Sequence, residues 1–292
     1  MKNERIESEL FPSFFIGDGH PIRIMAVVNL SKESFYHDSF IPEEHLNDII
    51  KKFVESGADI IDIGARSTAP WSEKISIEEE KRRIKTALEL VIPSFPKDKI
   101  LSIDTQYSEI AKLSLNLCAD HRIHVMLNDV SNLRTDEKYQ DVLVEYGCPI
   151  VLMASQSVPG DTKTMPEVIS ALEDSIKILT SKGFPRNKII VDPGVGRWVS
   201  DKTPEYDCAL ISNLEQLRAL NSPILMALSR KSFIGGLLGY KDPKDRYYGT
   251  IAATVISVFT GAHIVRTHDV NQELLDVVRI SKHLRESKLP SK

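Results

Sequence analysis

The sequence has little of what marks several protein classes. Its three cysteines, Cys118, Cys148 and Cys208, are odd in number, far apart and without CxxC spacing. This argues against a disulfide framework and favours buried free thiols in a reducing cytoplasm. No HxH or HxxxH pair occurs among the eight histidines, so nothing suggests a histidine-bound zinc site.

Long hydrophobic runs and an excess of positive charge are also lacking. The longest apolar stretch, residues 251–265, is interrupted by polar residues and is shorter than the roughly 20 residues that span a bilayer. Residues 1–11 are charged and do not resemble a secretory signal. The formal net charge is -4, which gives no reason to expect a nucleic-acid or membrane partner. We expect a cytoplasmic protein in which a few placed groups hold any anionic ligand.

What the sequence does have is an alternation of short β-branched apolar runs with helix-period segments. Eight such runs occur: Ile22–Val28, Asp59–Ile63, Ile100–Ile103, Ile123–Leu127, Pro149–Met153, Lys188–Val191, Pro223–Leu228 and His263–Val265. Nearly continuous apolar strands separated by helices indicate a parallel sheet covered on its outer face. Eight units in 292 residues favour a single-domain α/β fold, a (β/α)8 TIM barrel, over an open doubly wound sheet. We assign residues 1–20 to an N-terminal lead-in, 21–286 to the barrel and 287–292 to a tail.

Polar residues follow most of these predicted strands. In a (β/α)8 barrel the carboxyl ends of the strands meet at one mouth, where ligands bind. The residues at or just after the strand ends are Asn29, Thr68, Asp104, Asn128, Asp192, Lys231, Arg266 and His268. Buried unpaired charges are costly unless a ligand or partner satisfies them, so their convergence predicts a binding site.

Each of these residues also has a purely structural interpretation. Asp192 followed by Pro193 and Gly194 can be a turn, and Asp104 can cap the next helix. The segment 229–232 can be a solvated helix start, and His268 a loop histidine.

The residue types predict two kinds of contact. Asp104, Asn128 and Asp192 suit a flat heterocycle, since a carboxylate accepts parallel hydrogen bonds from an amino group and a ring N–H. Lys231, Arg266 and His268 are donors, and the last two can clamp phosphate oxygens. The predicted ligand has a hydrogen-bonding ring at one end and an anion at the other.

At these positions the sequence resembles the dihydropteroate synthases along most of its length. Two segments, 24–35 and 57–68, are similar to the first two signatures of that family. Shorter motifs then follow in the family's order: Ser102-Ile-Asp-Thr105, Leu127-Asn-Asp-Val130, Asp192-Pro-Gly-Val-Gly196, Ser229-Arg-Lys-Ser-Phe233 and Arg266-Thr-His-Asp-Val270. Each motif alone is modest, but the ordered set from residue 22 to about 280 is specific.

The resemblance implies roles for individual residues. It implies a pterin site of Asp104, Asn128, Asp192 and Lys231. It implies a diphosphate site of Asn29, Arg266 and His268, with Mg²⁺ near Asn29, and catalytic roles for Lys231, Arg266 and His268. Thr68, Ser232 and Arg197 would lie near an arylamine. The implied reaction joins 6-hydroxymethyl-7,8-dihydropterin diphosphate to 4-aminobenzoate or a related arylamine and releases diphosphate.

Several positions depart from the family's pattern. The usual Gly-Glu-Ser-Thr-Arg-Pro-Gly is Ala65-Arg-Ser-Thr-Ala-Pro-Trp71 here, so Ala69 replaces the loop arginine. Ala154 replaces a histidine, Arg197 stands where aromatics are common, and Lys32-Glu33 replaces Pro-Asp. The changes fall on the amine side and look like archaeal relatives, some of which serve methanopterin rather than folate synthesis. The amine is therefore 4-aminobenzoate or a bulkier ribosylated arylamine.

Two other functions fit parts of this pattern. A pterin-binding methyltransferase shares the ring-binding residues but has no diphosphate to hold, which the Ser229–Phe233 and Arg266/His268 motifs argue against. A non-catalytic barrel that only binds pterin is compatible with the altered loops. Members of the resembled family are commonly dimeric, which implies a homodimer here.

Overall fold

The computed structural model describes residues 5–33, 39–68 and 72–287. Residues 1–4 of the predicted lead-in, Ala69 in the altered loop, and residues 288–292 of the predicted tail lie outside these ranges.

The described part of the chain contains ten strands and nine α-helices. A hairpin comes first, β1 (Glu7–Phe11) and β2 (Phe14–Gly17). The remaining strands are β3 (Arg23–Asn29), β4 (Ile60–Gly64), β5 (Ile100–Asp104), β6 (His124–Asp129), β7 (Ile150–Met153), β8 (Ile189–Asp192), β9 (Leu225–Ala227) and β10 (Ile264–Thr267). The helices are α1 (Leu46–Glu55), α2 (Ile77–Val91), α3 (Ser108–Ala119), α4 (Tyr139–Tyr146), α5 (Met165–Ser181), α6 (Pro204–Ser212), α7 (Ser232–Leu238), α8 (Tyr247–Thr260) and α9 (Gln272–Glu286).

Strands β3 to β10 form one parallel sheet that curves into a barrel. Their order is β8-β7-β6-β5-β4-β3-β10-β9. The two end strands meet at a parallel bridge between Val191 and Ile224, where the Val191 N–H donates to the Pro223 carbonyl at 2.9 Å. All eight predicted apolar runs coincide with barrel strands, so the prediction of an α/β TIM barrel is confirmed.

The helices form because the segments between strands are amphipathic and well capped. At the start of α5, the Thr164 and Glu167 side chains form a capping box. The Ser76 hydroxyl accepts the Glu79 N–H at 3.1 Å where α2 begins. The buried faces of the helices cover the outer face of the sheet and build the larger of two hydrophobic cores.

The smaller core lies inside the barrel, at the end opposite the strand termini that carry the polar residues. Leu10 and Ile16 of the hairpin are fully buried there. They pack against the first inward side chains of the strands: Met25, Ile60, Ile100, Met126, Val151, Ile190, Leu225 and Ile264. The hairpin thus closes the amino-terminal end of the barrel, and any ligand must enter from the other end.

Among the described residues, no helix combines the length and the hydropathy that a membrane span requires.

Candidate active site

A single pocket at the carboxyl ends of the strands gathers all ten of the residues singled out from the sequence. It is lined by Asn29, Thr68, Asp104, Asn128, Asp192, Arg197, Lys231, Ser232, Arg266 and His268, among others. They come from seven strand ends or following loops, and the parallel sheet brings them together because all eight strands end on the same side. Their individual roles remain predictions.

The floor of the pocket contains a charged network around Asp62, a residue that sequence reasoning missed. Asp62 is fully buried on β4. Its carboxylate accepts hydrogen bonds from the Ser102 hydroxyl at 2.5 Å and from Arg266 Nε at 2.7 Å. The Asn128 amide nitrogen is 3.3 Å from the same carboxylate. Asp62 therefore fixes Arg266 and orients Asn128.

Asp104 lies on the neighbouring strand and shares the same cation. Its carboxylate accepts from Arg266 Nη2 at 2.8 Å. Burial, together with the negative charge of Asp62, outweighs Arg266 and raises the pKa of Asp104 to about 7. Helix α3 begins at Ser108 with Tyr107 as its N-cap, so the alternative that Asp104 caps this helix is wrong.

Asp192 and Lys231 form the opposite side of the pocket. Asp192 ends β8 and accepts the Gly194 N–H at 2.7 Å, so it does form a turn, but it also lines the pocket. Lys231 Nζ donates to the Val195 carbonyl and lies 5.6 Å from the Trp198 ring centre. Burial raises the pKa of Asp192. Burial also lowers the pKa of Lys231 to about 8, although Asp192 opposes that change.

Arg230 connects the loops that carry Lys231 and His268. Its guanidinium makes two hydrogen bonds of 2.8 Å to the Asp269 carboxylate, which follows His268 directly. His268 Nδ1 is 3.0 Å from the Ser229 hydroxyl. Burial and the nearby cations Arg266, Arg230 and Lys231 lower the pKa of His268 to about 3. His268 is therefore a neutral hydrogen-bonding group at neutral pH.

Asn29 ends β3 with its amide already oriented. Its Nδ2 donates to the Ser39 hydroxyl at 2.8 Å, and its Oδ1 accepts the Ser31 N–H at 3.0 Å. In the described ranges, no group of three or more His, Cys, Asp or Glu side chains is arranged to hold a metal. One fixed amide oxygen fits Mg²⁺ that is held mostly by phosphate oxygens and water, but not an ion in an all-protein cage.

The residues assigned to the arylamine lie around the rim. Ser232 begins α7, Thr68 follows β4, and the exposed Arg197 side chain reaches the Ser200 carbonyl at 3.4 Å. Trp198, to which the sequence analysis gave no role, also lines the pocket. Arg66 lines it too, held by the buried Glu80 carboxylate of α2.

The missed residues left different signals in the sequence. Asp62 is an acid within an otherwise apolar strand, two residues before its end, and such a residue points into the barrel toward the mouth. The alternation of inward and outward side chains along a strand could therefore have identified Asp62 from the sequence. The inward orientation of Trp198 and Arg66 depends on loop conformation, for which the sequence carries no comparable period.

Comparisons with known proteins find matches along most of the chain. A family model described as pterin binding enzyme matches residues 25–268. The dihydropteroate synthase of Clostridium beijerinckii is 32% identical over 258 residues, which are 86% of this chain and 90% of that enzyme. The folic acid synthesis protein fol1 of Pneumocystis carinii is 33% identical over 274 residues, 90% of this chain but 35% of that protein. This chain thus spans about a third of the length of that curated relative.

One solved structure extends the similarity to three dimensions. It is a dihydropteroate synthase from Coxiella burnetii in complex with pteroic acid, with a TM-score of 0.79 and 29% identity. The match covers 96% of this chain and 98% of that chain.

Proposed function

The chain belongs to the pterin-binding enzyme family, and from that premise we propose that it is a dihydropteroate synthase. It condenses 6-hydroxymethyl-7,8-dihydropterin diphosphate with an arylamine and releases diphosphate. The observation that carries the proposal is the composition of the single pocket. Three ring-binding candidates (Asp104, Asn128 and Asp192) line the same cavity as the donors Lys231, Arg266 and His268 and the Asn29 amide.

The pterin ring would bind against Asp104, Asn128, Asp192 and Lys231. A pterin presents an amino group next to a ring N–H, and a carboxylate accepts both hydrogen bonds in parallel. An ammonium has three donors. With one of them engaged by the Val195 carbonyl, Lys231 retains donors for the acceptor atoms of the ring.

The diphosphate would extend toward Asn29, Arg266 and His268. Mg²⁺ bound with Asn29 would neutralise part of the diphosphate charge. The neutral His268 can hydrogen-bond a phosphate oxygen. Arg266 would contribute positive charge while it stays bound to Asp62 and Asp104, which fix its position.

In the reaction, the bond between the methylene carbon and the diphosphate oxygen breaks, and a bond from that carbon to the amine nitrogen forms. Diphosphate leaves with the electron pair, and the amine loses one proton. No covalent bond to the enzyme is needed. The residues act by positioning both reactants and by stabilising the departing anion.

The identity of the amine is the finer part of the proposal. We place it against Thr68, Ser232 and Arg197, and it is 4-aminobenzoate or a ribosylated arylamine of the kind used in methanopterin synthesis. The Arg197 guanidinium is exposed at the rim of the pocket, where it can bind the carboxylate of an acidic amine. Steady-state competition between the two amines decides between them. A strong preference for plain 4-aminobenzoate would refute the bulkier substrate and, with it, the likeness to archaeal relatives.

The turnover test is incubation of the protein and Mg²⁺ with the pterin diphosphate and each amine, with diphosphate release and product formation measured together. We expect stoichiometric release of diphosphate with formation of 7,8-dihydropteroate from 4-aminobenzoate, or of the corresponding dihydropterin adduct of the other amine. Tight pterin binding without turnover across several amines would instead indicate a non-catalytic pterin-binding barrel. Methyl transfer from a methyl-tetrahydropterin to a corrinoid acceptor would indicate the methyltransferase.

We also propose that the chain works in the cytoplasm as a homodimer. Helix α8 has no charged residue, yet Tyr248 and Ile256 are 83% and 46% exposed. Ile280 and Leu284 of the adjoining α9 are also more than half exposed. A helix apolar all round is normally buried, which supports a second copy on this face. Light scattering of the wild type and of Ile256→Asp tests the assembly: the variant should be monomeric, and a monomeric wild type would refute the dimer.

A further inference from the structure

Behind the proposed pterin site lies a second ionic pair that no substrate can touch. Lys202 and Asp207 are each 1% exposed, and Lys202 Nζ is 3.7 Å from Asp207 Oδ1. Burial lowers the pKa of Lys202 and raises the pKa of Asp207, and each is the other's countercharge. Two buried charges cost several kcal/mol to desolvate, and such a pair is weak evidence for a contribution to stability. Its contacts point to another role.

Both residues hold the loop that follows β8. Lys202 Nζ donates to the Gly194 carbonyl at 2.7 Å, and Asp207 Oδ1 accepts the Gly196 N–H at 2.8 Å. The residue between these two glycines is Val195, whose carbonyl accepts the Lys231 ammonium. The buried pair thus holds the two ends of the segment Gly194–Gly196, and the Val195 carbonyl at its centre accepts a hydrogen bond from Lys231.

The same pair connects this loop to the loop after β7. Lys202 Nζ is 3.5 Å from the Gly160 carbonyl. Gly160 has φ +64°, and a Cβ there would lie 2.2 Å from the Trp198 ring, so this ring packs directly on the glycine backbone. Lys202 Nζ therefore contacts backbone carbonyls of two neighbouring loops. One of these loops supports Trp198, whose ring Lys231 faces.

We propose that Lys202 and Asp207 are positioning residues that hold the segment Gly194–Gly196 so that the Val195 carbonyl fixes Lys231 in the pocket. The proposal rests on the proposed function, because it assumes that Lys231 binds the pterin ring. With the Val195 carbonyl fixed, one N–H of Lys231 is bonded to it. The remaining N–H donors of Lys231 are then oriented before the substrate binds. Preorganisation of this kind raises affinity by lowering the ordering cost of binding.

The test measures binding of 6-hydroxymethyl-7,8-dihydropterin, the ring without its diphosphate, by calorimetry. Lys202→Met keeps the length of the side chain but removes its donors and charge, and we expect about tenfold weaker ring binding. Binding of inorganic diphosphate, measured separately, should change less than about twofold because Lys202 does not face that end.

A double-mutant cycle shows whether Lys202 acts through Lys231. Lys231→Ala alone should weaken ring binding about 10- to 100-fold. Adding Lys202→Met to Lys231→Ala should then cost less than about twofold more, because the residue it positions is gone. Lys163→Met is the matched control: Lys163 bonds Asp201 across the same two loops, but at the surface, and its loss should leave ring binding unchanged.

Folding defects are separated by two further variants. Asp207→Asn keeps an oxygen for the Gly196 N–H, and Lys202→Met/Asp207→Asn leaves no unpaired buried charge. Both should fold, and the double variant should still bind the ring more weakly than wild type. Equal ring affinity in Lys202→Met, in the double variant and in wild type overturns the proposal, and so does additivity with Lys231→Ala. If Lys231→Ala itself binds the ring like wild type, the assignment of the pterin site fails as well.

Discussion

The Arg266 guanidinium joins two carboxylates across the pocket floor, which makes its removal a test of the whole network. It bonds Asp62 at 2.7 Å and Asp104 at 2.8 Å. Arg266→Met keeps an apolar stem of similar length but leaves both carboxylates without this cation. Removing one member of a buried ion pair typically costs about 3–5 kcal/mol of folding free energy, because the remaining charge is uncompensated.

The loss of folding free energy in Arg266→Met should depend on pH, and the raised pKa of Asp104 determines whether it grows or shrinks as pH rises. A carboxyl whose pKa is higher in the folded state stabilises the fold below its unfolded pKa and loses that contribution as pH rises through its folded pKa. For Asp104 this window runs from about 4 to about 7 in the wild type. Without Arg266 the folded pKa rises further, so the variant keeps losing stability above pH 7. The difference should grow by about 1.4 kcal/mol per pH unit there, until the variant's own pKa is passed.

Urea unfolding of both proteins from about pH 5 to about pH 8.5 measures this difference. We expect a loss of about 3–5 kcal/mol at the alkaline end and a loss about 2 kcal/mol smaller at the acid end, where Asp104 is protonated in both proteins. Asp62→Asn in the Arg266→Met background should recover stability, since it removes one of the two charges. Arg279→Met is the matched control, because Arg279 pairs with Asp276 at the surface, and it should have almost no effect. A loss that is equal at both ends of the pH range would refute the assignment of this network as the cause.

Three further predictions concern other parts of the molecule. Lys231→Ala should lose about 1.5–3 kcal/mol of pterin affinity in calorimetry with little change in the unfolding midpoint, because it removes a charged donor from the pocket. Leu10→Ala should destabilise the fold by about 2–5 kcal/mol in urea unfolding and leave kcat unchanged at permissive temperature, since Leu10 is fully buried at the end of the barrel away from the pocket. Cys208 should react first with a thiol reagent at neutral pH, followed by mass spectrometry, because burial raises the pKa of Cys118 and Cys148 to about 12. Faster labelling of either buried thiol would contradict that structure.

Much of the fold could be predicted because its signals are local. Each barrel strand is a short β-branched run between a helix and a polar turn, so the eight runs and the mouth at their ends follow from the sequence. The hairpin was missed, although Ile6, Ser8 and Leu10 alternate with exposed residues over the strand that begins it. A pattern of so few residues predicts a strand, but neither its pairing with β2 nor its packing on the amino-terminal end of the barrel.

The candidate site could be predicted in membership but not in its internal contacts. Parallel strands bring their ends together whatever the side chains do, so residues at strand ends were found. Asp62 was missed because the search stopped at those ends. That Arg266 bonds two carboxylates depends on side-chain directions across three strands, and no period in the sequence encodes these directions. The position of Lys202 and Asp207 behind Lys231 depends on a loop and on helix α6, which carry no such period either.

The hairpin that closes the barrel also sets the order in which the chain can become compact. Leu10 and Ile16 precede Ile190, Leu225 and Ile264, on which they pack, by more than 170 residues in the sequence. Until those later strands have been synthesised, these two apolar side chains have no complete surface to cover them. A nascent chain of this kind exposes an apolar segment to which chaperones can bind. Its folding rate is controlled by contacts between distant parts of the sequence.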